Sequence, residues 1–245
     1  MAVELEKFIK DQLENLPQNH PDREYLSGLL ADTESYNAGD DRDVILLTDI
    51  DQKEVRQAVK EYKSKPHTPE LVTQVFQTIW SKRGKFVGKT YEVSPCPYTQ
   101  EGLTNLKKKV RGRFSRRVGY LPAELATQQR RHILGKMFPQ MKSLSVQKNN
   151  PITNDKNPSG WFDYETKIGG PYFHTDERLL SLNQYIVAGY DSKLITGRYL
   201  DEKELTWTRL GSRVQGIVVS ARFYRSGCLA IGWPSKCGGG FYEYL

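Results

Sequence analysis

The sequence predicts an α+β fold, a helix-rich N-terminal half packed with a mostly antiparallel sheet or sandwich in the C-terminal half. Three observations predict it. Apolar residues recur at helical spacing up to Phe138. From Trp161 onward the runs are short, aromatic and β-branched, with a period near two. Between them, residues 139–160 carry the Asn, Pro, Ser and Gly of a connection, including Lys148-Asn149-Asn150-Pro151 and Asn157-Pro158-Ser159-Gly160. The expected organisation is therefore a helical region over 1–140, a linker over 141–160 and a β region over 161–245, or one integrated domain.

Taken in order, residues 3–16 place Leu5, Phe8, Ile9, Leu13 and Leu16 on one helical face, and Pro17 ends the helix. A short second helix is expected from Pro21 through Leu30, followed by a polar loop over 33–43. Val44–Leu47 reads as a buried strand or as the lead-in to the next helix. Asp51 and Glu54 have capping-box spacing, and Val55, Val59 and Tyr62 share a face. The clearest helix follows. Thr68 caps it, Pro69 takes the first helical position, and Leu71, Val72, Val75, Phe76, Ile79 and Trp80 form a broad apolar stripe up to the terminator Gly84. Lys85–Val93 alternates as a strand, and helices are expected near Thr99–Arg113 and Pro122–Phe138. The candidate strands beyond are Trp161–Ile168, Gln184–Ala188, Leu194–Leu200, Leu205–Leu210, Arg213–Arg225, Cys228–Trp233 and Gly240–Tyr244.

The chain has 245 residues, a net charge of +7 and an isoelectric point near 9.2. No apolar run approaches the ~18 residues of a membrane span, so no membrane partner is expected. Three cysteines, Cys96, Cys228 and Cys237, do not make a disulfide framework. With a charged opening that lacks an apolar signal core, they predict a cytoplasmic, reducing location.

The positive charge is unevenly spread, and this carries the main functional expectation. In Lys107–Arg117, seven of eleven residues are cationic: Lys107, Lys108, Lys109, Arg111, Arg113, Arg116 and Arg117. Arg130, Arg131 and Lys136 follow. Clustered Lys and Arg bind phosphate backbones through counterion release, and Arg adds bidentate contacts. Phe114 offers a ring on which unpaired bases stack. The expected function is therefore nucleic-acid binding through the segment at 107–117 and the cations at 130–136, DNA and RNA being undistinguished. A solvated helix face that binds nothing is the alternative use of such a charge run.

Two other functions are expected as alternatives. Asp176, followed by Asp191-Ser192-Lys193 after the apolar run Tyr185–Ala188, resembles the acid…acid-x-Lys pattern of restriction-type nucleases over Asp176–Lys193. That resemblance implies Mg²⁺ held by Asp176 and Asp191, with Lys193 orienting the attacking water. Acid-x-Lys recurs five times in this chain, so a turn aspartate beside a surface lysine is the competing account. The aromatic ending Phe241-Tyr242-Glu243-Tyr244 suits a self-assembling, coat-type homo-oligomer. Gly84–Thr90 resembles a phosphate-binding loop but is one residue short and follows a helix. His174-Thr175-Asp176 lacks the downstream histidine that an iron triad needs.

Overall fold

The computed structural model describes residues 10, 11, 13–15, 17, 49–106, 116–138, 151–153, 159–165, 179–200 and 207–233. The chain divides into two compact units, Met1–Ile45 and Leu46–Leu245. In the first, residues 10–11 and 13–15 are helical, and the Asn15 amide donates to the Asp11 carbonyl at 2.7 Å.

The second unit is α+β, as the patterning predicts. It begins with a pair of helices, α1 (Asp49–Ser64) and α2 (Pro69–Lys85). Because α1 starts at Asp49, the Asp51–Glu54 spacing falls inside the helix and not at its cap. Thr68 does cap α2: its side-chain oxygen accepts from the Leu71 amide at 3.2 Å. The α2 stripe is the centre of the core, with Val72, Phe76 and Trp80 fully buried. Gly84 lies within the last turn, because a side chain there would strike the Lys89 carbonyl oxygen.

The expected strand at Lys85–Val93 does not join a sheet. Residues 89–97 have no regular secondary structure and are tied to α2 by its side chains. The Gln77 amide donates to the Tyr91 carbonyl (2.9 Å) and accepts from the Val93 amide (2.8 Å), and the Thr73 hydroxyl accepts from the Cys96 amide (2.9 Å). The backbone groups are thus satisfied without a ladder, which sequence alternation alone does not distinguish from one. A short helix, α3 (Gln100–Leu106), follows.

Two sheets are formed among the described residues of the unit. β1 (Arg116–Leu121) pairs antiparallel with β2 (Gly160–Glu165), in the register Arg117 to Tyr164 and Tyr120 to Trp161. The region expected as one helix over Pro122–Phe138 is two 3₁₀ turns and then α4 (Arg131–Met137). The second sheet is β3 (Thr208–Val214), β4 (Ile217–Phe223) and β5 (Leu229–Gly232), antiparallel in that order. The β3–β4 turn, Gln215-Gly216, has φ of 48° and 83°, the positive values a tight hairpin turn needs. It splits the stretch expected as a single strand, Arg213–Arg225.

Between the sheets' sequences stands α5 (Leu182–Thr196), and here the sequence expectation fails. Gln184–Ala188 was expected as a strand and Leu194–Leu200 as another; the first is helix and the second contains the helix end. Ser181 and Gln184 form a reciprocal capping box, and Gly197 closes the helix with φ of 79°. Twelve of its fifteen residues are buried, so it has no polar face to reveal a helical period. A short apolar run of this kind reads equally as a buried strand.

The 141–160 connection does not separate the helical part from the β part. β1 pairs with β2 across it, and Thr153 within it exchanges backbone hydrogen bonds with Arg213 of β3 (2.8 and 3.1 Å). Residues on both sides build one core, from Val55 to Ile231.

Candidate anion-binding site

The C-terminal end of the basic run opens onto a cavity of about 530 Å³. β1 brings Arg116 and Arg117 to it, the end of α1 brings Tyr62 and Lys63, and His67 comes from the α1–α2 connection. Leu103 and Leu106 of α3, Val118 of β1, and Ile195 and Thr196 of α5 supply the remaining wall. No carboxylate is among these ten lining residues.

Each cation has its own surroundings. Lys63 is exposed. Arg116 lies 3.5 Å from the Asp163 carboxylate, which also accepts from the Tyr98 hydroxyl at 3.4 Å. Arg117 is different: its Nη1 is buried and has no hydrogen-bond partner among the described residues. A buried donor left unsatisfied costs about 1–3 kcal/mol, more when it is charged. His67 is held in place, with Nε2 donating to the Tyr62 carbonyl at 2.7 Å and the ring lying 4.1 Å from that of Tyr62.

Behind the cavity is a group of buried polar side chains. Burial pushes the Tyr62 phenol up to about 12, against the opposing pull of Arg117. Burial raises Tyr164 further, Asp191 adds to that rise, and Arg117 again opposes it. Both phenols therefore stay neutral at physiological pH. Asp191 pairs with Arg83 at 2.7 Å, and the two charges offset one another. Arg83 in turn lies over the rings of Trp80 and Phe138, 5.1 and 5.0 Å from their centroids. Among the described lining residues of the cavity, Lys63, Arg116 and Arg117 are cationic and none is acidic.

The structure separates the residues singled out by sequence. Lys107, Lys108, Lys109, Arg111, Arg113 and Phe114 lie outside the described residues, as does Asp176. Leu106 and Arg116, the described residues on either side of 107–115, both line the cavity. Arg130 is exposed at the end of a 3₁₀ turn.

Arg131 is corrected. It is fully buried, with Nε donating to the Asn183 amide oxygen (2.6 Å) and Nη1 to the Ile152 carbonyl (3.0 Å), and burial lowers its pKa to about 9. A side chain enclosed in this way tethers α4 to α5 and cannot reach a phosphate backbone.

The nuclease assignment is corrected at Asp191 and Lys193. Neither is on a strand or a turn. They stand two residues apart on α5, and positions i and i+2 of a helix point to different sides. Asp191 is fully buried against Arg83, and burial raises its pKa while Arg83 pulls the other way. Lys193 places its ammonium 5.0 Å over the Tyr199 ring. An enclosed, arginine-paired carboxylate is not available to Mg²⁺. Among the described residues no group of three His, Cys, Asp or Glu side chains is placed to hold a metal ion.

The loop resembling a phosphate cradle uses its amides internally. Val87 and Lys89 donate to the Gly84 carbonyl, and Gly88 donates to that of Lys85. The ending proposed for self-assembly, residues 241–244, and Cys237 lie outside the described residues. Cys96 is a buried thiol outside any disulfide. Among the described residues, no helix is long and apolar enough to cross a membrane.

Sequence reasoning missed Tyr62, Lys63 and His67. Their one signal is the run Lys63-Ser64-Lys65-Pro66-His67, basic residues at a helix end, which the favourable interaction of cations with that end of a helix explains equally well. No family model matches the chain, and neither a curated protein nor a solved structure does.

Proposed function

We propose that the protein binds nucleic acid, DNA or RNA, through the basic stretch Lys107–Arg117 and the cavity at its C-terminal end. The observation that carries this reading is the meeting of Arg116, Arg117 and Lys63 at one cavity with no carboxylate among its described lining residues. Charges gathered in this way add to a local potential, whereas the same charges dispersed over a surface are screened within a Debye length of ~8 Å. Exposed Arg130 adds a cation outside the cavity.

Fluorescence polarisation with labelled single-stranded DNA and RNA, titrated at several salt concentrations, tests the proposal. Contacts to three phosphates give a log–log slope near about −2, so a fourfold rise in salt weakens binding by roughly 20-fold. Affinity independent of salt, or no binding at low salt, overturns it.

A further inference from the structure

Resting on the reading above, we infer that one exposed flank of α1 is a second contact surface for the same partner, holding the phosphates of a nucleic-acid backbone without regard to base sequence. Position is the first argument. Lys53, Arg56, Lys60 and Lys63 are all exposed and follow one another at intervals of three, four and three residues. At 3.6 residues per turn that spacing gathers them within an arc of about 80°, as a row ~15 Å long. Lys63 also lines the cavity, so the row ends at the wall that Arg116 and Arg117 share.

Charge is the second argument. The two glutamates of α1 pair elsewhere, Glu54 with Lys82 of α2 at 2.5 Å and Glu61 with Lys65 at 2.8 Å. Around the helix, Ser64 and Gln57 separate these glutamates from the cations. Asp49 falls on the cationic flank by its position, a turn before Lys53, which leaves Lys60 and Lys63 as the more strongly positive end of the row.

The chemistry of the flank is the third argument. The apolar side of α1, Val55, Val59 and Tyr62, is buried in the core and is not open to acyl chains. The residues exposed on α1 from Lys53 to Ser64 are Lys, Arg, Glu, Gln and Ser, which offer charges and donors to phosphate oxygens and no ring on which a base stacks. Contacts of this kind position a backbone and carry no sequence information.

The test uses Lys53→Gln combined with Lys60→Gln, two exposed positions outside the cavity, with far-UV circular dichroism and the thermal midpoint confirming that the fold is kept. The probes are oligo(dT), oligo(dA) and a mixed-sequence single strand of equal length, each titrated with salt. At ~0.7 per phosphate contact, the glutamine pair is expected to flatten the log–log slope by about 1.4, equally on all three strands. Lys53→Arg combined with Lys60→Arg is expected to keep the slope of the unaltered protein. An unchanged slope in the glutamine pair overturns the α1 contact and leaves the nucleic-acid reading standing, and a change confined to one sequence overturns the contact as well. Failure of the unaltered protein to bind any strand at low salt overturns both. A last arm uses vesicles of phosphatidylserine and phosphatidylcholine. Vesicle capture that the glutamine pair removes, with no effect on the strands, assigns the row to a lipid surface and overturns the inference.

Discussion

At the scale of single residues, the buried charges divide into two kinds. Arg83 and Asp191 close on each other at 2.7 Å, with the arginine further held over two aromatic rings. Arg117 lines the cavity, and its buried Nη1 has no hydrogen-bond partner among the described residues. Removing one half of a buried pair leaves the other half uncompensated, at a cost of about 3–5 kcal/mol. Asp191→Ala is therefore expected to destabilise the protein by about that amount, measured as a shift in the urea midpoint. The double variant Asp191→Leu with Arg83→Met is expected to lose less than Asp191→Ala alone, because no charge is then left stranded. If Asp191→Ala unfolds at the same urea concentration as the unaltered protein, the ion pair contributes nothing. Neither role was visible in the sequence. Asp191-Ser192-Lys193 matches an acid-x-Lys pattern that occurs five times in this chain, and Arg83 belongs to no motif.

At the scale of elements, α5 decides the packing of the second sheet. Gly189 lies against Phe223 of β4 so closely that a β-carbon would enter the ring. Phe223 cannot swing aside, since it stacks on Tyr185 and on Tyr199, each 5.3 Å away between centroids. Alanine raises helix propensity by ~1 kcal/mol over glycine. Overpacking a closed core costs roughly 1–3 kcal/mol and is expected to win here. Gly189→Ala should lower the thermal midpoint, and a rise would show that the helix moves freely against the sheet. The same element explains the largest error of sequence reading. A helix buried on nearly every side carries Tyr, Ile and Val in succession, and neither period nor propensity separates it from a central strand. By contrast α2, amphipathic and capped by Thr68-Pro69, was legible almost to the residue.

At the scale of the whole molecule, the chain divides at residue 45 and not at the polar connection near 150. The connection looked like a boundary because of its composition. Pairing of β1 with β2, and of Thr153 with Arg213, joins the chain on both sides of it into one core. A protein beginning at Leu46 is accordingly expected to unfold in one cooperative transition, with a midpoint within a few degrees of the corresponding transition in the full chain. Differential scanning calorimetry checks this, and a broad or multiple transition would mean that residues 1–45 complete the core. Charge also acts at this scale. The net +7 attracts polyanions at long range, but it does not say where they bind.

The sequence by itself determined the class of fold, the long helices with an apolar face, the strand character of the second sheet but not the turn between β3 and β4, and the concentration of cations around residue 110. These are local properties, set by spacing, capping and composition. Only the tertiary structure decided that Arg131 turns inward, that Asp191 meets Arg83, and that Lys63 joins Arg116 and Arg117 at one cavity. The physical reason is that burial and pairing depend on residues far apart in the chain. Arg83 and Asp191 are separated by more than a hundred positions, and whether a charge faces solvent or protein is fixed by the partner that folding brings to it.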